Sequence, residues 1–306
     1  MDGLILVDKP QGATSHDVVA SIRRLLGQQR VGHFGTLDPL ATGLLLVAVG
    51  RATRLFPFFS RHDKVYSGEM RLGFSTDTYD TEGKPTSEES AAFPDTRRLV
   101  EAMRELSGPS EQVPPPFSAK KVNGRPLYRW ARAKMVVQSR PSPVVIQAFE
   151  LKVYTPPLAQ FDVHCTSGTY VRSLVHDLGQ AVGCGAHLTA LRRLAAGPFG
   201  LNEASSLDKI AALARAGDYK GFLVPLESLL PEAPKAVLSE QGRRRLQKGT
   251  PLPANLLIGV MPAERPSAPP ASEASGIHRL FSEEGRFLAL ARPLEGKTAF
   301  LPFLVL

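Results

Sequence analysis

Two cysteines, Cys165 and Cys184, are all that the 306 residues contain. So few exclude a disulfide framework and suit a reducing compartment, so a cytoplasmic setting is expected. No apolar run is long enough to span a bilayer, and Met1-Asp2-Gly3-Leu4 lacks the basic-then-apolar layout of a signal peptide. Also missing are a Gly-x-x-x-x-Gly-Lys-Ser/Thr loop for nucleotide phosphates and a Gly-x-Ser-x-Gly elbow for a nucleophilic serine. There is no internal repeat. The most informative deficit is of one sign of charge: between Glu111 and Glu150 there is no acidic residue. Lys120, Lys121, Arg125, Arg129, Arg132, Lys134 and Arg140 all fall there, nearly the whole formal net charge of +8.

Such an excess favours a polyanionic partner, because each neutralised phosphate releases condensed counterions. The basic stretch, about 112–143, opens with Pro114-Pro115-Pro116 and closes around Pro141 and Pro143. Between these breaks the spacing predicts a short helix over 126–135. Arg125, Arg129 and Arg132 fall at i, i+4 and i+7 on one face, with Leu127 and Ala131 on another. One reading is an arm that grips an RNA backbone, with Tyr128 and Trp130 available for packing or stacking. The other is a solvated basic face anchored to the body by Trp130, the only tryptophan.

Elsewhere the pattern mixes strands and helices in a chain long enough for one large or two ordinary domains. Strands are expected over 3–7, 44–49 and 65–72. Ser15 reads as the N-cap of a helix with an apolar stripe of Val18, Val19, Ile22, Leu25 and Leu26, stopped by Gly27. Asp95 opens a second helix carrying Leu99, Val100, Met103 and Leu106. Segments 144–153 and 160–167 read as paired strands about Thr155-Pro156-Pro157, and 170–182 as a third helix. The class is α+β, with a mostly antiparallel mixed sheet flanked by helices. A boundary near 231–235 separates 1–232 from a smaller β-rich unit, 233–306. That unit holds a basic helix over 239–247, a Pro/Ala/Ser-rich loop over 262–276 expected to be mobile, and a hairpin about Glu283-Glu284-Gly285.

One segment concentrates the chemistry: Gly32-His33-Phe34-Gly35-Thr36-Leu37-Asp38-Pro39-Leu40-Ala41-Thr42-Gly43. Pro39 restricts Asp38 to extended or turn geometry just before a buried strand. Local pattern alone leaves two readings, a carboxylate presented on a stiff loop or an N-cap with Pro39 at the first helical position. The string GHFGTLDPLATGLLLVAVG closely resembles the motif around the catalytic aspartate of the TruB-type bacterial tRNA pseudouridine-55 synthases. The resemblance continues through Leu6-Val7-Asp8-Lys9-Pro10, Lys64-Val65-Tyr66, Thr76-Asp77-Thr78-Tyr79-Asp80, Ser118-Ala119-Lys120-Lys121, Gly168-Thr169-Tyr170-Val171-Arg172 and Gly183-Cys184-Gly185-Ala186-His187-Leu188. These blocks keep family order from residue 3 to about 200; the C-terminal quarter is similar only loosely.

The resemblance implies the pseudouridine synthase fold, with a small PUA-like domain at the C-terminus. It implies base flipping and isomerisation of a T-loop uridine of tRNA, with no metal or cofactor and no obligate protein partner. Asp38 would be the catalytic carboxylate, Arg172 its charge partner and Tyr66 the active-site tyrosine. Tyr170 and Leu191 would line the uridine pocket, and His33 would fill the space left in the disrupted loop. Asp80 would face the site, and Lys9 would support the active-site loop or contact RNA. Lys120, Arg125, Arg129 and Arg132 would belong to an insertion that clamps the tRNA arm. Phe34 departs from the smaller polar residue expected after this histidine, and its ring would alter how the T loop is held.

Two other signals carry less. The acids of Asp77-Thr78-Tyr79-Asp80-Thr81-Glu82-Gly83 do not fall at the alternating positions of a calcium loop, so a turn is expected. His164 and Cys165, adjacent on a strand, point to opposite faces and do not combine with Cys184 and His187 into a zinc site. Two rivals stand beside the synthase reading: a catalytically silent RNA-binding or tRNA-folding protein, and a guide-RNA-dependent synthase.

Overall fold

The computed structural model describes residues 1–133, 135, 137, 139–264, 276–294 and 298–306. Strand β1 (Gly3–Lys9) leads into helix α1 (Ser15–Leu26). The cap of α1 is Thr14, one residue earlier than the sequence predicts. The Thr14 hydroxyl accepts the Asp17 amide at 3.0 Å, and Asp17 Oδ2 accepts the Thr14 amide at 2.9 Å, a reciprocal box. Ser15 is buried instead. Its hydroxyl accepts the Leu37 amide at 2.8 Å and donates to the Leu37 carbonyl at 3.0 Å, tying α1 to the loop that holds Asp38. Gly27 closes the helix in the left-handed region, as expected.

Next come β2 (Val31–His33), β3 (Thr42–Val49), the short α2 (Phe56–Phe59), β4 (Lys64–Leu72), α3 (Thr96–Glu105) and β5 (Gly108–Gln112). The basic stretch forms a two-residue hairpin, β6 (Lys121–Val122) with β7 (Arg125–Pro126), and α4 (Leu127–Arg132). Helix α4 is shorter than the 126–135 expected, and Lys134 lies outside the described residues. Then follow β8 (Ser142–Thr155), β9 (Leu158–Cys165), α5 (Val171–Ala181), β10 (Ala186–Ala196), β11 (Phe199–Gly200), α6 (Leu207–Arg215) and β12 (Leu223–Pro225).

These strands form one sheet in the order β12-β1-β3-β10-β4-β9-β8-β5, with β2 on β3 and β11 on β10. All its pairs are antiparallel except β3 with β10. The run Leu44–Val49 is apolar at every position because both faces of β3 are covered. Leu45, Val47 and Val49 share one core with residues of α1, α3, α5 and α6, among them Val18, Leu99, Leu174 and Ile210. Leu44, Leu46 and Ala48 point the other way, into a second core with Phe34, Phe58 and Phe59.

A second sheet is built from β13 (Lys235–Leu238), β14 (Leu252–Pro253), β15 (Leu257–Met261), β16 (His278–Phe281), β17 (Phe287–Pro293) and β18 (Ala299–Val305). Its order is β14-β18-β17-β16-β13-β15, with α7 (Glu240–Leu246) beside it. The expected hairpin is β16 with β17, antiparallel. Most of the loop expected over 262–276 lies outside the described residues. No described helix is long and apolar enough to cross a membrane.

Candidate active site

The second edge of β3 is shared: Val47–Val49 pair with β2, and Thr42–Gly43 with β10. The loop bearing Asp38 emerges at this changeover. Leu37, Leu40 and Ala41 are buried on either side of Asp38, and the Ala41 amide donates to the Asp38 carbonyl at 3.1 Å. A strand follows rather than a helix, so Asp38 is not an N-cap. Its side chain keeps 40% exposure and opens into a cleft of about 670 Å³.

Arg172, in the first turn of α5, is buried beneath that carboxylate. Its Nε lies 2.9 Å from Asp38 Oδ2. The Nε–H is not aligned on an acceptor, so this contact is an ion pair rather than a directed hydrogen bond. The rest of the guanidinium is firmly held. Nη1 donates to Thr78 O at 3.0 Å and to Asp80 Oδ2 at 3.3 Å, and Nη2 to Phe117 O at 3.0 Å. Asp80 is fixed in turn, its Oδ1 accepting the Thr78 hydroxyl at 2.5 Å and the Glu82 amide at 3.0 Å. The segment expected to be a turn rather than a calcium loop thus supplies a buttress for the arginine.

The other expected residues converge on the same cleft. Tyr66, Tyr170, Leu191 and His33 line it with Asp38, Asp80 and Arg172. Burial raises the Tyr66 phenol, and the Arg193 cation opposes part of that rise. Burial also raises the Tyr170 phenol. Tyr170 is seated from the main chain: its amide donates to Gln112 Oε1 at 2.7 Å, and Gln112 Nε2 donates to its carbonyl at 3.0 Å. His33 is pushed down by burial and by the Arg193 charge, so its ring is neutral near pH 7.

Lys9 is fully buried and does not reach the surface. Its ammonium donates to Ala13 O at 2.7 Å, Pro10 O at 2.9 Å and Pro39 O at 3.5 Å. It braces the Asp38 loop from below, and RNA contact is ruled out by its burial. Phe34 also differs from expectation. Its ring stacks on Phe59 at 5.5 Å and meets Phe56 edge-on at 5.9 Å, inside the core. The substitution therefore adds packing beneath the site and presents no ring beside His33 to a ligand.

The arm's basic face divides in two. Arg132 lies over the Tyr128 ring at 5.6 Å, and both line the cleft. Arg125 lies over the Trp130 ring at 4.6 Å, while Arg129 is exposed. Trp130 Nε1 donates to Val122 O at 3.3 Å, so Trp130 ties α4 to its own hairpin. The side chain of α4 buried against the body is Leu127. Lys120 bonds Ser142 Oγ and Arg140 O at the foot of β8 and does not line the cleft.

Among the lining residues not singled out from sequence are Lys64 and Arg193. Alternation was the available signal, since residues two apart on a strand share a face. Lys64 shares Tyr66's face, and Arg193 shares Leu191's. Lys64 is buried, donates to Ser60 O at 2.8 Å and to His62 O, and is pushed down to about 8 by burial and the Arg193 charge. Among the described residues no group of three His, Cys, Asp or Glu is placed to hold a metal ion.

Residues 23–171 match the TruB family pseudouridylate synthase (N terminal domain), and 172–231 the tRNA pseudouridylate synthase B C-terminal domain. The chain is 44% identical over 255 residues to "tRNA pseudouridine synthase B" of Solibacter usitatus, covering 83% of this chain and 87% of that relative. A relative of the same name from Thermobifida fusca is 41% identical over 306 residues, covering 97% and 96%. Among solved structures, a chain of a Cbf5-Nop10-Gar1 complex superposes with a TM-score of 0.69 at 24% identity, over 99% of this chain and 83% of that one. A chain of the archaeal box H/ACA sRNP Nop10-Cbf5 complex gives 0.67 at 23% identity, over 99% and 84%. At those identities the structures speak for the fold alone. The sequence matches carry the rest: this chain belongs to the TruB family of pseudouridylate synthases.

Proposed function

We propose that the protein converts uridine 55, in the T loop of tRNA, to pseudouridine, with Asp38 as the essential carboxylate. The observation that carries this reading is the Asp38–Arg172 ion pair, which holds a part-exposed carboxylate at the mouth of the cleft. Relatives named tRNA pseudouridine synthase B support tRNA as the substrate. In the reaction the N1–C1′ bond breaks, the uracil turns within the site, and C5 joins C1′. N1 gains a proton and C5 loses one, so the atoms balance without an oxidant, reductant or nucleotide. Asp38 acts on the ribose, as nucleophile at C1′ or as base at C2′.

The surrounding side chains fit the remaining tasks. The target base must leave its stack, at a cost of a few kcal/mol. Leu191 and the Tyr170 ring form apolar walls for it, and Tyr66 lies across the cleft as a protonated phenol. His33, neutral and at the rim, fills the gap in the loop. Arg125, Arg129, Arg132 and Lys120 form the arm that meets the T arm. Residues 1–232 carry the reaction, and 233–306 form the smaller PUA-like unit. The chain engages tRNA directly, without an obligate protein partner.

Tritium release from unmodified tRNA labelled at uridine C5 tests this, with wild type and Asp38→Asn compared. C5–C1′ bond formation expels that hydrogen. Release by wild type, with none from Asp38→Asn at unchanged tRNA affinity, is expected. Release by both variants would remove Asp38 from its role, and no release from well-bound tRNA would make the protein a silent binder.

A further inference from the structure

Arg193 and Arg279 are the largest side chains that the fold buries, among the described residues, and Arg193 is the one that lines the cleft. It projects from β10, with Tyr66 of β4 as its cross-strand partner and Gly43 of β3 on its other side. That second approach is close enough to require glycine. A Cβ at position 43 would lie 2.4 Å from the Arg193 carbonyl oxygen, and Gly43 holds φ +95°. The guanidinium Nε donates to Leu44 O at 2.6 Å, and Nη2 donates to Gly35 O at 3.1 Å. Gly35 and Leu44 are the two feet of the loop that carries Asp38. Tyr66, its cross-strand partner, lines the same cleft.

Burying a guanidinium is costly, and a fold that needed only volume here would be served by methionine or leucine. No carboxylate stands within ion-pair distance of Arg193 among the described residues; the neighbouring Arg192 takes Asp8 at 2.8 Å. What a planar, multi-donor group offers instead is geometry: several acceptors held by one rigid fork. We infer that Arg193 is a positioning residue for the reaction. Its guanidinium clamps both feet of the Asp38 loop beside its cross-strand partner Tyr66, and so holds the carboxylate in register with the phenol across the cleft. This rests on the reading of Asp38 and Tyr66 as the reacting side of the site.

Arg193→Met and Arg193→Lys in the full chain test it, with thermal melts, tRNA binding and single-turnover tritium release measured for each. Lysine keeps the charge but lacks the fork that spans both carbonyls, so both variants are expected to lose turnover. A misplacement of about an ångström costs roughly 100-fold, so a rate loss of at least about tenfold with tRNA affinity held supports the clamp. A folded variant with a smaller loss overturns it. Equal losses of rate and affinity overturn it too, by making Arg193 a binding residue. Failure of both variants to fold makes it a residue of the fold alone, which also overturns it. Tritium release by Asp38→Asn would remove the reading of Asp38 on which the clamp rests, whereas an inactive Asp38→Asn beside an active Arg193→Lys sinks only the clamp.

Discussion

Arg172 is asked to do four things with one side chain: neutralise Asp38, bond Asp80, and hold the carbonyls of Thr78 and Phe117. A lysine has the charge but not the fork. Arg172→Lys should therefore keep tRNA affinity and lose roughly 100-fold in single-turnover rate, the scale of a small misplacement of the reacting group. Wild-type turnover in that variant would show that charge alone suffices. Lys64 carries a prediction of a different kind. Its ammonium titrates at about 8 in the fold, against 10.5 for an unperturbed lysine. Below both values it is protonated in both states and adds no pH dependence. Between them the unfolded chain binds more protons, so stability should rise as pH climbs through that window, by on the order of 3 kcal/mol. Urea melts across about pH 7.5 to 10.5 should show the rise in wild type and lose it in Lys64→Met. Asp38 and Arg172 were legible because their motifs are specific. Lys64 and Arg193 were half legible, since strand alternation shows a shared face but not that the face lines a cleft. The inward turn of Phe34 had no local signal, because only the packed positions of Phe56 and Phe59 decide it.

At the scale of elements, the N-terminal turn of α5 joins the arm to the cleft. Tyr170 exchanges two hydrogen bonds with Gln112, Arg172 takes Phe117 O, and the Ser173 hydroxyl donates to Val113 O at 3.0 Å. Three sites at the arm's root are thus held by residues beside the Asp38 carboxylate. Strands β1, β3, β4, β8 and β9 and helices α1, α3 and α5 were readable from the sequence because their patterns are local, whereas β10 and α6 were not. The division of the arginines was not, since it depends on which aromatic ring each guanidinium meets in three dimensions. That division separates two effects. Arg125→Ala with Arg129→Ala should weaken tRNA binding and flatten its salt dependence by about one unit of slope for each phosphate left unneutralised. Arg132→Ala, at the cleft, should also lower the single-turnover rate on saturating tRNA. Filter binding across a salt series, with rates at saturation, separates the two. An unchanged salt slope would return Arg125 and Arg129 to a merely solvated face.

The whole molecule is less divisible than its two sheets suggest. Leu4, Leu6, Leu44 and Leu46 of the large sheet share one core with Ile277, Phe281, Phe287 and Leu290 of the smaller unit. Between the sheets the chain is gripped by Arg279, fully buried, which donates to Ala233 O at 3.0 Å, Leu229 O at 3.3 Å and Glu264 Oε1 at 2.7 Å. A boundary at 232/233 therefore separates sheets that cover each other. Removing 233–306 would bare the outer face of β1 and β3, where each uncovered leucine forfeits about 1.5–3 kcal/mol of burial and joins a contiguous apolar patch. The fragment 1–232 should accordingly be insoluble, or melt at least about 10 °C below the full chain. Arg279→Met in the full chain should show a milder form of the same defect. It leaves buried carbonyls without a donor, at about 1–3 kcal/mol each, while the cleft and its turnover stay as they were. Sedimentation and thermal melts of the fragment decide the matter. A soluble monomer melting with the full chain would mean that the large sheet covers its own face, and that the second sheet is an appendage rather than half of the core.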